Sequence, residues 1–341
     1  MVARRANPLV TPGKLRIIRG SCNRQTVSMR IVIIGATGHI GTWLVPRLVG
    51  AGHTVTAVSR ASRQPYHEAI EWDAVERVTL DRTAMEANGT FGQAIAALRG
   101  DVVVDLICFT RSSAEHLVSA LHDRVELFAH CGTLWVHGVP CSRPYDETAP
   151  REPFGEYGIR KAEIERFLLE AAAGGFPATI LHPGHITGPG WAPINPAGHL
   201  DVGVFDALAR GDVVRLPDDG LSTLQHVHAD DVAQAFECAI STPGASIGEA
   251  FHVAADEPVT MRAYAEAAAQ WFGRAARLEY SPWDDWRTGV SERDAAITRD
   301  HVLHSPHASI AKARRRLGFA PRYTAIEAAR EAVAALRHIR Y

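Results

Sequence analysis

The tightest constraint on this chain is local. A short β-branched run over residues 29–34 (MRIVII) ends in Gly35-Ala36-Thr37-Gly38-His39-Ile40-Gly41, a helix-like stretch follows over 39–50, and a second apolar run spans 53–59. Strand, glycine turn, helix and strand in that order make a right-handed βαβ unit, which commits the chain to parallel strands. Glycines at G-x-x-G-x-x-G spacing permit a tight turn and close approach of a ligand. The helix N-terminus then offers unpaired N–H groups and a partial positive charge to a pyrophosphate. A glycine pattern alone says little; its place between a strand and a helix is what reads as a dinucleotide turn.

The alternation continues. Strand-like runs fall at 77–80, 102–109, 127–131 with 134–136, and 178–181, and helix-like stretches at 91–99, 113–124 and 156–173. This is the pattern of an α/β protein, a Rossmann doubly wound parallel sheet covered on both faces. Beyond Pro183 the texture changes, with Gly188-Pro189-Gly190-Trp191-Ala192-Pro193 and Pro217-Asp218-Asp219-Gly220 punctuating loops around a short helix at 204–210. The expectation is a dinucleotide-binding domain over 29–183, to which 226–256 returns through a helix and a strand. A smaller, mostly helical C-terminal substrate-binding region, 184–225 and 257–341, caps it, and 1–28 form a disordered extension.

Composition narrows the partners. A formal net charge of −2 supplies no basic field, so a small-molecule substrate is favoured and nucleic acid is not. The five cysteines are scattered without zinc or redox spacing, which fits a reduced, cytoplasmic setting. No stretch approaches the ~20 apolar residues of a membrane span, and residues 1–28 lack the apolar core of a secretory signal.

The residues after the second strand bear on cofactor choice, because an acid there accepts from ribose hydroxyls whereas Arg accommodates a 2′-phosphate. Ser59-Arg60-Ala61-Ser62-Arg63 contains no acid, so NADP is favoured over NAD, with Ser59, Arg60 and Arg63 as the contacts. Asp81, after the third strand, is a candidate for the adenine edge; a helix N-cap is its alternative. Tyr157-Gly158-Ile159-Arg160-Lys161 is the sharpest signal. Four-residue spacing puts both side chains on one helix face, where an ammonium can lower the phenol pKa and reach a nicotinamide ribose. The chain has only three lysines, Lys14, Lys161 and Lys312, among 36 basic residues. With seven tyrosines, an accidental Y-x-x-x-K is expected only about 0.06 times. Upstream, Cys131-Gly132-Thr133 ends a strand and offers the Thr133 hydroxyl to a substrate oxygen held near Tyr157, or to the backbone of a turn.

In this order the pieces resemble the extended short-chain dehydrogenases/reductases, the NAD-dependent epimerase/dehydratase family. Leu181-His182-Pro183-Gly184-His185-Ile186-Thr187-Gly188-Pro189-Gly190 is similar to the family's segment after the sixth strand, and His226-Val227-His228-Ala229-Asp230-Asp231-Val232-Ala233 to its late H-V-x-D-x-A box. Lys312-Ala313 with Leu317-Gly318-Phe319-Ala320-Pro321 resembles its closing element. The resemblance implies that Gly35, Gly38 and Gly41 hold the pyrophosphate, that Tyr157 and Lys161 act in catalysis and that Thr133 fills the usual Ser/Thr place. Pro183 and Ile186 then line the nicotinamide, and Thr37, His39, Ile40 and Leu106 join the cofactor-binding set. His185 stands where sugar-nucleotide epimerases commonly have Asn and is a candidate for substrate contact. Before the late His box, where those enzymes have a phosphate-gripping Arg, this chain reads Leu221-Ser222-Thr223-Leu224-Gln225. A homodimer is a further family expectation.

Seventeen histidines invite a metal. However, Ser305-Pro306 interrupts the triplet-spaced His301, His304 and His307, and no acid completes a zinc pattern around these or the pair His226 and His228, so no metal is expected. Three functions remain. The first is an epimerase or dehydratase acting on a sugar or nucleotide-sugar through a transient ketone. The second is an NADPH-dependent reductase of a non-nucleotide carbonyl. The third is a non-catalytic RNA-associated or regulatory module, as in chloroplast stem-loop-binding relatives, which the intact Tyr157 and Lys161 argue against.

Overall fold

Strands buried on both faces need apolar side chains on both, and the runs in this chain meet that demand. In the computed structural model, which describes residues 28–338, seven strands form one parallel sheet: β1 (Arg30–Ile34), β2 (Thr54–Ser59), β3 (Glu76–Thr79), β4 (Val102–Asp105), β5 (Leu127–Cys131), β6 (Ala178–Pro183) and β7 (Ala250–Val253). Their spatial order is β7-β6-β5-β4-β1-β2-β3. The direction of winding therefore reverses between β1 and β4, and the crevice at the carboxyl ends of those strands is where such sheets bind ligands.

Side chains alternate across the sheet as strand geometry requires. Ile31, Ile33, Val55 and Ala57 enter one core with Leu44 and Leu48 of α1 (Gly41–Gly50). Val32, Ile34 and Val58 enter the other. That second core is covered by α3 (Phe91–Ala97), α4 (Arg111–Leu121) and α5 (Gly155–Ala173), with the short α2 (Arg82–Ala87) at its margin. A third core, with Ile194, Leu216, Tyr264 and Trp286, lies under α6 (Gly203–Arg210) in the cap. Helix α7 (Ala229–Ser241) packs back on α1.

Three local outcomes differ from the sequence reading. Strand β4 stops at Asp105 rather than running to residue 109, because the buried Asp105 carboxylate accepts from the Ile107 N–H at 3.2 Å and from Arg82 at 2.8 Å, turning the chain out of the sheet. Residues 134–136 are not strand. Leu134–His137 is a turn of 3-10 helix, because the Thr133 hydroxyl caps the Trp135 N–H. The span 257–341 is not all cap, since Ile310, Ala313, Leu317 and Phe319 pack into the first sheet core. Except for Ser28, the 1–28 extension lies outside the described residues. No described helix is long and apolar enough to cross a membrane.

Candidate active site

The glycine turn is built as its spacing demands. Gly35 has φ +88°, and a Cβ there would stand 2.8 Å from the Ile107 side chain; a Cβ on Gly41 would stand 2.3 Å from the Ala36 carbonyl oxygen. Both positions therefore exclude larger residues, and Gly38 N–H closes the turn on Gly35 O at 2.9 Å. Helix α1 has no side-chain N-cap and no acid in its first turn, so its positive end faces the crevice uncompensated.

Two adjoining cavities open from this turn, sharing Gly35, Gly38, Ile107, Phe109 and Trp191. One, of about 650 Å³, includes Thr37, Ser59, Arg60, Arg63, Arg82 and Glu86. The other, of about 530 Å³, includes His39, Ile40, Leu106, Thr133, Tyr157, Lys161, Pro183, His185 and Ile186. The first suits the adenosine half of a pyridine dinucleotide and the second its nicotinamide half, so the residues present fit the cofactor. Gly41 lines neither cavity and serves by letting α1 approach Ala36. Asp81 is not brought to the crevice. Its carboxylate accepts from the Ala84 N–H at 3.1 Å and caps α2. The buried Arg82 stands there instead, tied to Asp105 and Glu86.

Tyr157 and Lys161 project from one face of α5, and Gly158 between them lets the helix press on the 3-10 turn, where a Cβ would meet the Trp135 carbonyl at 3.1 Å. Lys161 is 2 % exposed. Its Nζ donates to the carbonyls of Cys108 at 2.8 Å and Cys131 at 2.7 Å, pinning the loop that follows β4 to the end of β5. One of its three N–H bonds is left uncommitted. Burial pulls the Lys161 pKa below its ordinary value. The Tyr157 phenol is not brought towards neutrality as the sequence spacing suggested. Although Tyr157 is 44 % exposed overall, burial of the phenol and the nearby Cys131 push it up to about 12, with Thr133 opposing. Thr133 itself is buried; its Oγ1 accepts from the Trp135 N–H at 3.3 Å, so its own proton is free to donate. Both roles considered for this hydroxyl are thus compatible.

Behind Thr133 runs a buried chain of contacts. The Thr133 N–H donates to His182 Nδ1 at 3.0 Å, which leaves the ring proton on Nε2, and Nε2 faces Glu165 Oε1 at 3.2 Å. Arg151 donates to the same oxygen at 2.8 Å. Burial alone would raise the Glu165 pKa, but His182 and Arg151 together hold the carboxyl well below the usual range.

Several lining residues are not read as part of a site from the sequence, where His301 is weighed only as a metal ligand. Trp191, noticed only as part of a loop signal, stacks on His39 at 4.9 Å with the Arg63 guanidinium 5.7 Å from its ring, so a cap loop covers the glycine turn. Tyr66 hydrogen-bonds the His39 ring. Trp135 and His301 wall the nicotinamide half on the side away from the glycine turn, where a substrate would lie, their rings 5.3 Å apart. No group of three metal-ligating side chains gathers among the described residues.

The profile of the NAD-dependent epimerase/dehydratase family matches residues 31–254. The 2′-dehydrokanamycin reductase of Streptomyces kanamyceticus is 27 % identical over 256 residues, 74 % of this chain and 69 % of that one. A UDP-glucose 4-epimerase of Mycolicibacterium smegmatis is 25 % identical over 275 residues, covering 74 % and 86 %. In structure, the UDP-glucose 4-epimerase of Thermotoga maritima superposes with a TM-score of 0.67 at 20 % identity, over 92 % of this chain and 100 % of that one. By fold, glycine turn and profile match alike, this chain is an NAD(P)-dependent enzyme belonging to the NAD-dependent epimerase/dehydratase family, the extended short-chain dehydrogenases/reductases.

Proposed function

We propose that this chain reduces a neutral, largely apolar carbonyl compound at the expense of a nicotinamide cofactor, with NADPH preferred. The observation that carries this reading is the make-up of the substrate cavity. Leu134, Ile194, Leu200, Leu224 and Ile297 line it beyond the Ile107 and Phe109 it shares with the adenosine half, and among the described residues Lys161 is the only Lys, Arg, Asp or Glu in it. A nucleotide-sugar carries a diphosphate that needs cations or N–H donors near the cap. No arginine lines this half of the crevice, in keeping with Leu221 to Gln225 standing where the phosphate-gripping Arg is common. The likeness to a reductase of 2′-dehydrokanamycin supports net reduction over epimerisation.

In such a reaction the bound cofactor supplies the hydride. Gly35, Gly38 and the α1 N-terminus would hold its pyrophosphate, Arg60 and Arg63 a 2′-phosphate, and Pro183 with Ile186 its nicotinamide. Tyr157 and Thr133 would both donate to the carbonyl oxygen, and Tyr157 would deliver its proton as the alkoxide forms. The Tyr157 phenol, pushed up to about 12, is protonated at neutral pH, and it is the much more basic alkoxide formed on hydride transfer that draws the proton from it. Lys161 holds the Cys108 and Cys131 carbonyls in place, and its remaining N–H would reach the nicotinamide ribose of a bound cofactor.

The test is absorbance at 340 nm with a panel of neutral ketones. NADPH should be consumed with a stoichiometric alcohol product, and Tyr157→Phe should lower kcat/KM by roughly 10²–10⁴-fold while leaving NADPH affinity within about threefold. Turnover of nucleotide-sugars with no net absorbance change would overturn the proposal in favour of epimerisation. An RNA affinity unaffected by Tyr157→Phe would revive the non-catalytic reading.

A further inference from the structure

Building on the reductase reading, we infer that His301 is the substrate-recognition residue of the cavity, its Nε2 accepting a hydrogen bond from a hydroxyl or N–H group on an otherwise apolar substrate. The helix Glu292–His304 brings His301 over the cleft from the cap. Its Nδ1 lies 2.8 Å from the Ile297 carbonyl oxygen. A carbonyl only accepts, so the ring proton sits on Nδ1, and Nε2 keeps its lone pair. That nitrogen is buried and has no hydrogen-bond partner among the described residues. An unmatched buried acceptor is costly, and a ligand group that donates to it removes the cost.

Gln225, Thr133 and Tyr157, the polar neighbours of His301 in this cavity, have partners or roles of their own. The Gln225 amide donates to the carbonyls of Ala255 and Ala308 and accepts from the Ala308 N–H. Thr133 and Tyr157 are committed to the reacting carbonyl. His185, its ring 5.6 Å from that of His301, also has an unpartnered Nε2, but no contact fixes its tautomer, so it can serve as donor or acceptor. His39 Nε2 is likewise buried and unpartnered, its Nδ1 turned to Tyr66, but it lies beside the glycine turn under Trp191; away from that turn, His301 presents the acceptor of fixed identity. Burial lowers its pKa to about 4, so the lone pair is retained at neutral pH. An uncharged acceptor disfavours a carboxylate and welcomes a neutral donor.

Trp135 sets where that donor must lie. Its ring meets Tyr157 edge-on at 6.0 Å and His301 edge-on at 5.3 Å, so it spans the floor between the proton donor and the acceptor. The substrate class is therefore a planar or alicyclic carbonyl compound whose body lies along Trp135, with a hydroxyl or amine at the end remote from the reacting carbon.

The probes are the ortho, meta and para hydroxybenzylacetones and their O-methyl ethers, which replace the donor hydrogen by a methyl group. Calorimetry on the protein loaded with NADP⁺ should show at least one phenol binding about tenfold tighter than its ether. His301→Phe should collapse that ratio to near one, and His301→Gln, which returns an acceptor near the Nε2 position, should restore part of it. Because a ratio divides out general damage to the fold, a ratio unchanged in His301→Phe overturns the assignment, as does the absence of any phenol preference in the unaltered protein. The reductase reading is scored separately. A His301-dependent preference in binding without NADPH consumption for any probe defeats that reading alone, whereas reduction of phenols and ethers with equal kcat/KM defeats the His301 assignment alone.

Discussion

Arg60 and Arg63 sit three residues apart on the rim of the adenosine half, yet they are not equivalent. Arg60 is exposed and has no hydrogen-bond or ion-pair partner among the described residues, whereas Arg63 lies 5.7 Å over the Trp191 ring that covers the glycine turn. A 2′-phosphate offers either one a charge-assisted hydrogen bond, and losing one such bond weakens binding by about tenfold or more. Arg60→Ala should therefore raise the Kd of NADPH about tenfold and leave NADH unchanged, giving a selective loss. Arg63→Ala should weaken both, since it also loosens Trp191 over the common part of the cofactor. Fluorescence titration of each variant with each dinucleotide decides the matter; an equal effect of Arg60→Ala on NADH and NADPH would remove Arg60 from the 2′-phosphate site.

Helix α5 shows how one element carries both chemistry and support. Tyr157, Lys161 and Glu165 recur every four residues and so share a face. The first lines the cavity, the second ties the loop after β4 to the end of β5, and the third anchors His182 behind Thr133. Glu165 is almost fully buried, with Arg151 and His182 as its partners. Removing one member of a buried charge set strands the others, at a cost of about 3–5 kcal/mol. Glu165→Ala should lower stability by that amount in urea unfolding, with Glu165→Gln intermediate; a change under about 1 kcal/mol for Glu165→Ala would show that the set does not hold the site. The Tyr157 and Lys161 pairing was legible beforehand because a single helix decides it, as a strand and turn decide the glycine motif. What escaped depended on residues remote in sequence. The end of β4 is set by Arg82 meeting Asp105, and the fate of 134–136 by a hydroxyl cap. Trp191 and His301 enter the site only because the cap folds over the sheet, which no local periodicity records.

Over the whole molecule, histidines kept neutral by burial tie stability to pH. Burial lowers His39 and His226 to about 3, and His137, His228, His301 and His304 to about 4. In the unfolded chain these groups titrate near 6.5. Between 6.5 and the folded values the unfolded state binds more protons, so stability is intact above about 6.5 and is lost as pH falls. Each pH unit across that window is worth about 1.4 kcal/mol per histidine, or about 3 kcal/mol for a group held neutral down to 4. Domains are stable by only about 5–15 kcal/mol, and the six histidines named, at about 3 kcal/mol each, together exceed that range, so acid should unfold this one by about pH 4. The Tm should be level above pH 7 and fall steeply from 6.5 downwards; a Tm unchanged between pH 7 and 5 would contradict this. His226 gives the sharper comparison, since it is fully buried and no side chain hydrogen-bonds its ring among the described residues. His226→Phe removes a proton acceptor and keeps a similar volume, so it should raise the Tm more at pH 5 than at pH 7.5, and an equal shift at both would mean that another group drives the acid transition.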